Sequence, residues 1–211
     1  GINPLLAVVI SAACCTALGL TIERVAYKPL RNAGSPLAVL ITAIGVSYLL
    51  QNLGLLIFGA DTKSFKSIVN MEALQFAEGQ LTVSGEAVVT IIASVVIMIA
   101  LTSFVKYTKA GRAMVAVSED RGAAQLMGIN VNGTIALTFA IGSALAAIAG
   151  ALLCSSYPSL SPYVGSMPGI KAFVAAVFGG IGSIPGAMIG GILLGVIENL
   201  SKAYISSQLS D

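Results

Sequence analysis

Four stretches of this 211-residue chain, residues 2–22, 35–60, 87–105 and 131–153, contain no charged side chain. A hydrocarbon layer about 30 Å thick is crossed by roughly 20 helical residues, and each stretch is about that long. Four such runs leave little sequence from which to build a polar surface, so they are read as membrane-spanning helices. Composition agrees: 9% of residues are charged, against about 25% in soluble domains. The expected fold is all-α, a polytopic helical bundle forming a single transmembrane domain over residues 1–211 in a lipid bilayer. The net charge of +2 lies in short clusters and makes no extended basic face, which argues against nucleic acid. There is no His, so a Ser-His-Asp triad, a His proton relay and His-ligated zinc are absent from this chain.

Lys and Arg distribution orients the spans. The connections 23–34 and 106–130 hold seven of the eleven basic residues, whereas the stretch 61–86 has two Lys and four acidic residues. The first two are therefore expected in the cytoplasm, and 61–86 as an external loop. Within that loop Phe65, Ile68, Phe76, Leu81 and Val83 alternate with charges and turn residues, a pattern that predicts a small hairpin. The first run starts at Gly1 with no basic leader, which fits a true span better than a signal peptide and suggests further spans upstream. Cys14, Cys15 and Cys154 form no disulfide framework and are expected as small buried packing residues.

The tail is different. Residues 172–178 offer only about 10 Å of helix before Gly179, Gly180, Gly182, Pro185 and Gly186, which disfavour a continuous helix, and 187–200 resume a helical pattern. Irregular backbone at membrane depth is tolerated where protein or a water-filled cavity covers it. A re-entrant half-helix is expected, with one kinked span or an ordinary hairpin as the competing reading. Small residues at four-residue spacing (Gly142, Ala146 and Gly150; Gly186 and Gly190; Gly191 and Gly195) predict close helix packing.

Two places carry candidate chemistry. In the second span Thr42, Ser47, Gln51 and Asn52 are the polar exceptions, Ser47 and Gln51 one turn apart. They either line a translocation pathway or hydrogen-bond a neighbouring helix. In the connection 118–130, Ser118 can cap a short helix with Glu119 and Asp120 near its start, and Gly128 can stop it. That makes a short cytoplasmic helix, or failing that a solvated linker. The interior of the four runs holds no Asp, Glu, Lys or Arg, which is unusual for an ion-coupled carrier, and the chain has no G-x-x-x-x-G-K-[ST] loop. Energy for transport would have to come from another subunit, and 118–130 is where it would act.

Three stretches, ERVAYKPLRNAGSPLAVLITAIGVSYLLQ (23–51), EDRGAAQLMGINVNGTIALTF (119–139) and GIKAFVAAVFGGIGSIPGAMIGGILLGVIE (169–198), resemble in matching order the permease subunits of branched-chain amino acid ABC transporters, the high-affinity leucine/isoleucine/valine uptake systems. The GGIGSIPGA core is the most specific. The resemblance implies a bacterial inner-membrane subunit, not itself an enzyme. It would pair with a second homologous permease, two cytoplasmic ATP-binding subunits and a periplasmic amino acid binding protein. ATP and Mg would be bound on the partner subunits, with no cofactor on this chain. The family's coupling segment falls on Glu119, Asp120, Arg121, Ala123, Ala124, Gly128, Ile129 and Asn130. The family's opening spans, its final span and its Pro-Thr-Gly ending have no counterpart here. A secondary carrier or channel for a small neutral metabolite is the competing reading; it would want a buried charge, a second broken helix or a selectivity ring.

Overall fold

The computed structural model describes residues 4–30, 36–64, 74–76 and 81–204; Arg31, Phe65 and Ile68 of the expected loops lie outside them, as do both ends. The chain runs α1 (Pro4–Ile22), a π-helical segment (Glu23–Tyr27), α2 (Lys28–Leu30), α3 (Pro36–Phe58), β1 (Lys63–Ser64), β2 (Leu74–Phe76), β3 (Leu81–Val83), α4 (Gly85–Tyr107), α5 (Lys109–Glu119), α6 (Arg121–Leu126), α7 (Val131–Ser156), β4 (Ser159–Leu160), α8 (Ser166–Phe178) and α9 (Ile184–Tyr204). Among the described residues five helices are long and apolar enough to cross a membrane: Leu6–Leu30, Leu37–Phe58, Gly85–Tyr107, Val131–Ser156 and Ile184–Tyr204. The polytopic helical bundle read from the sequence is therefore the fold, with one more candidate span than the four apolar runs.

Three boundaries move. The first helix does not stop at Glu23 but continues through the π segment to Leu30. Pro29 has no N–H to give the carbonyl of Val25, and the wider π turn accommodates that loss. In the tail, Pro185 and Gly186 are not part of the break: they sit in the first turn of α9, where a missing N–H costs nothing. Ser183 caps this turn, its Oγ accepting from the N–H of Gly186 at 3.1 Å. The break itself is shorter than expected, with positive φ at Gly180 and Gly182, a conformation that favours glycine. α8 likewise begins at Ser166, upstream of the expected residue 172, and its 13 residues still give only about 20 Å.

Small residues make the helix contacts. Glycine at position 19 lets α1 meet α7, since a Cβ there would stand 2.7 Å from Ser143 Cβ, and Tyr27 and Phe139 extend the same interface with ring centroids 5.0 Å apart. α8 and α9 pack antiparallel: Gly179 lies against the backbone of Gly186, and Gly190 against that of Ala175. By contrast, a Cβ at Gly142, Gly150 or Gly195 would meet nothing within 4 Å, so those members of the small-residue pattern serve no close packing within this chain. The buried apolar residues are Val117, Ala124, Ala147, Cys154 and Ala175, and no large side chain is fully buried among the described residues. Cys154 is thus buried as expected, whereas Cys14 is exposed. Hydrocarbon is as apolar as Leu, so large side chains gain little by turning inward.

The expected hairpin forms from β2 and β3, with Leu74 opposite Val83 and Phe76 opposite Leu81. Unforeseen is a second antiparallel pair, β1 with β4, placing Lys63 opposite Leu160. It joins the exit of α3 to that of α7. At the other end of α7, Lys28 and Arg121 line one cavity, so the basic connections converge there, opposite the β1–β4 end. α3 packs chiefly on the π segment.

Candidate functional site

The connection between α4 and α7 is two helices set by local caps. Thr108 starts α5, its Oγ1 accepting from Gly111 N–H at 3.0 Å. The cap of α6 is Asp120, not Ser118: Asp120 Oδ1 accepts from the N–H groups of Gly122 at 2.7 Å and Ala123 at 3.0 Å. Ser118 instead lies in the last turn of α5 and donates to the Val115 carbonyl. A carboxylate cap outcompetes a hydroxyl two residues earlier because it satisfies two orphan N–H groups at once and meets the positive end of the helix. Glu119 ends α5 and is exposed.

Gly128, at φ +81°, ends α6 as expected. Ile129 N–H donates to the Ala124 carbonyl and Gly128 N–H to the Gln125 carbonyl, both at 3.0 Å, the double bond of a Schellman cap. Asn130 then opens α7, its Oδ1 accepting from Gly133 N–H at 3.1 Å. Asp120, Gly128 and Asn130 are thereby accounted for as the residues that shape this segment. Ala124 is 3% exposed and packs into its own chain, while Ala123 and Arg121 are exposed. Sequence reasoning missed Leu126 and Met127, which are 90% and 82% exposed at the tip of a helix closed at both ends. The signal was available: two large apolar residues immediately before a helix-ending glycine, in a polar connection.

A groove runs beside this segment along α4 and α7. Its two parts, about 490 and 580 Å³, share Leu101, Leu145 and Ile184. One part reaches Ser118 and Arg121, the other Thr90 and Tyr157. The turn after α8 contributes Gly182 to the first part, so the broken tail faces the α5–α6 junction across an apolar space. None of Thr42, Ser47, Gln51 and Asn52 lines this groove. Their hydrogen bonds stay within α3: Gln51 Nε2 to Ser47 Oγ at 3.4 Å, Asn52 Nδ2 to the Tyr48 carbonyl and Thr42 Oγ1 to the Ala38 carbonyl at 2.8 Å. No other helix of this chain is bonded through them in these contacts.

Near the far end of the α8–α9 pair, Glu198 receives Lys171 at 2.9 Å and Lys202 at 2.6 Å on one carboxylate oxygen. Lys171 and Lys202 therefore occupy the same end of the hairpin, with the glycine turn at the other.

Comparison with known sequences places this geometry in context. The whole chain, residues 1–211, matches the family described as branched-chain amino acid transport system / permease component. It is 48% identical over 199 residues to the high-affinity branched-chain amino acid transport system permease protein LivH of Salmonella typhimurium, covering 93% of this chain and 64% of the relative. Identity is 47% over 201 residues to LivH of Escherichia coli and 44% over 201 residues to the permease protein BraD of Pseudomonas aeruginosa, with the same coverages. The chain thus spans slightly less than two thirds of the length of these relatives. No solved structure matches it.

Proposed function

Because this chain belongs to the family of branched-chain amino acid transport system permease components, we propose that it is the membrane-embedded part of an ABC importer that carries branched-chain amino acids inward by alternating access. It works in the bacterial inner membrane beside a second homologous permease. Two cytoplasmic subunits bind ATP with Mg and hydrolyse it, and a periplasmic binding protein delivers the amino acid. This chain carries no hydrolytic chemistry of its own.

The observation that carries this reading is α6. A six-residue helix is far below the roughly 12–15 residues needed for stability in water, yet this one is capped at both ends and holds two exposed apolar side chains at the basic end of the bundle. Leu126 and Met127 suit a groove on a cytoplasmic partner, the coupling role expected of the segment 118–130. Ala123 belongs to the same exposed helix, while Ala124 acts from inside by seating α6 on its own chain. The Gly179–Gly186 region enters as a re-entrant hairpin whose turn meets the groove, so a push on α6 reaches the pathway across one layer of side chains. Ser47 and Gln51 on the open face of α3 contribute a second wall, completed by neighbouring subunits.

The test is uptake in inverted and right-side-out vesicles with the partner subunits co-expressed. Uptake should require ATP and not an ion gradient. Leu126→Asp with Met127→Asp should leave the permease abundant while lowering ATPase recovery and substrate-stimulated hydrolysis at least tenfold, about 1.4 kcal/mol of lost docking. Ion-driven uptake without ATP would replace this reading with that of a secondary carrier.

A further inference from the structure

Where the first span ends and α7 begins lies a polar cavity of about 440 Å³. Lys28 from α2, Arg121 and Gln125 from α6 and Asn132 from the first turn of α7 line it, and Ile129 and Ile135 form an apolar wall. No carboxylate lines the cavity. Among the described residues neither Lys28 nor Arg121 makes a salt bridge. The nearest acidic residue in sequence, Asp120, turns its carboxylate oxygen to the N–H groups of Gly122 and Ala123. Two cations beside the Gln125 carboxamide, with no carboxylate among the lining residues, form a site for an anion with several acceptor oxygens.

The position of the cavity selects the anion. Lys28 stands two residues before the end of the span Leu6–Leu30, and Asn132 one residue into the span Val131–Ser156. The cavity therefore lies at the ends of two candidate spans, at headgroup depth, with Ile135 on its span side in α7. Basic pockets between spans at this depth are suited to lipid phosphates. We propose that this cavity binds the phosphate of an anionic phospholipid, its acyl chain lying along the apolar wall. A free phosphate would use the cations but leave that wall without a role. The site draws on Arg121 and Gln125 of α6, distinct from Leu126 and Met127, so a bound lipid holds α6 against the membrane surface while its tip remains available.

The experiment is native mass spectrometry of the chain purified in maltoside detergent and mixed with equal amounts of phosphatidylglycerol and phosphatidylcholine of identical acyl chains. Phosphatidylglycerol should be retained preferentially. Each cation near the lipid surface is worth roughly fivefold, so Lys28→Gln should lower the preference about fivefold and Lys28→Gln with Arg121→Gln roughly 25-fold. Lys106→Gln with Lys109→Gln removes the same charge outside the cavity and should change nothing. Lys28 is exposed, so its single variant carries the test if the double variant does not fold. Equal retention of the two lipids, equal losses in the control variant, or displacement of phosphatidylglycerol by millimolar inorganic phosphate would each overturn the proposal. So would unchanged lipid retention in Lys28→Gln accompanied by lost ATPase recovery, which would assign the cavity to a partner protein.

Discussion

Adding one methyl group at position 190 tests whether α8 and α9 cross as closely as described. In Gly190→Ala the new Cβ would be driven into the Ala175 carbonyl oxygen and would stand 3.1 Å from the Gly179 nitrogen and 3.2 Å from the Ala175 carbonyl carbon. These are backbone atoms, so no side-chain rotation relieves the clash, and the two helices must separate. Overpacking of this kind costs about 1–3 kcal/mol. Replacing a helical Gly by Ala returns about 1 kcal/mol of propensity, leaving a net loss of up to about 2 kcal/mol. For a chain of this size that lowers the unfolding midpoint by up to about 8 °C. Gly195→Ala is the matched control on the same helix: nothing lies within 4 Å of its new Cβ, so it gains the propensity term alone and should raise the midpoint by about 2–4 °C. Thermal unfolding followed by circular dichroism in detergent reads both. Equal shifts in the two variants would refute the close crossing, and with it the claim that glycine spacing specifies this hairpin.

Three further outcomes follow from the same geometry. Asp120→Ala removes the acceptor for two N–H groups and should cost α6 about 1 kcal/mol, seen as roughly fivefold faster amide exchange at 122–123 with the spans unchanged; unchanged exchange would show that the cap does not set the helix. With Cys14, Cys15 and Cys154 replaced, Lys202→Cys should react with an impermeant thiol reagent added from the periplasmic side, and labelling only after membrane disruption would replace the re-entrant hairpin by a crossing span. Gln51→Leu loses only a bond to its own helix, so abundance should hold while uptake falls severalfold; normal uptake at normal abundance would remove α3 from the pathway.

The parts legible in the sequence are those governed by short-range rules. Charge-free length gave the spans in 35–60, 87–105 and 131–153, because the thickness of hydrocarbon is a fixed ruler that residue order alone can meet. Gly180 and Gly182 marked the break, since positive φ is a property of single residues, and Gly128 likewise marked the end of α6. The basic clusters indicated which connections share one end. Boundaries failed where two local signals competed. Asp120 and Ser118 could each cap a helix, and the number of N–H groups each satisfies decided between them. Pro185 disfavours a helix interior yet fits a first turn, so its meaning depended on where α9 started.

Which surfaces meet was decided only by the tertiary structure. Glycines at 142, 150, 190 and 195 look alike in sequence, yet only Gly190 among them faces a backbone across a crossing, because contact depends on the rotation of one helix against another and not on spacing alone. Ala123 and Ala124 are equivalent neighbours in the chain, but the rotation of about 100° between adjacent helical residues puts Ala124 inside and leaves Ala123 outside. Lys28 and Arg121 are 93 positions apart in the sequence and come to one cavity because α1 packs on α7 and α6 precedes it. Hydrophobic length tells a segment to enter the bilayer; in a solvent as apolar as its own side chains, only the fit of small residues at each crossing tells it which neighbour to choose.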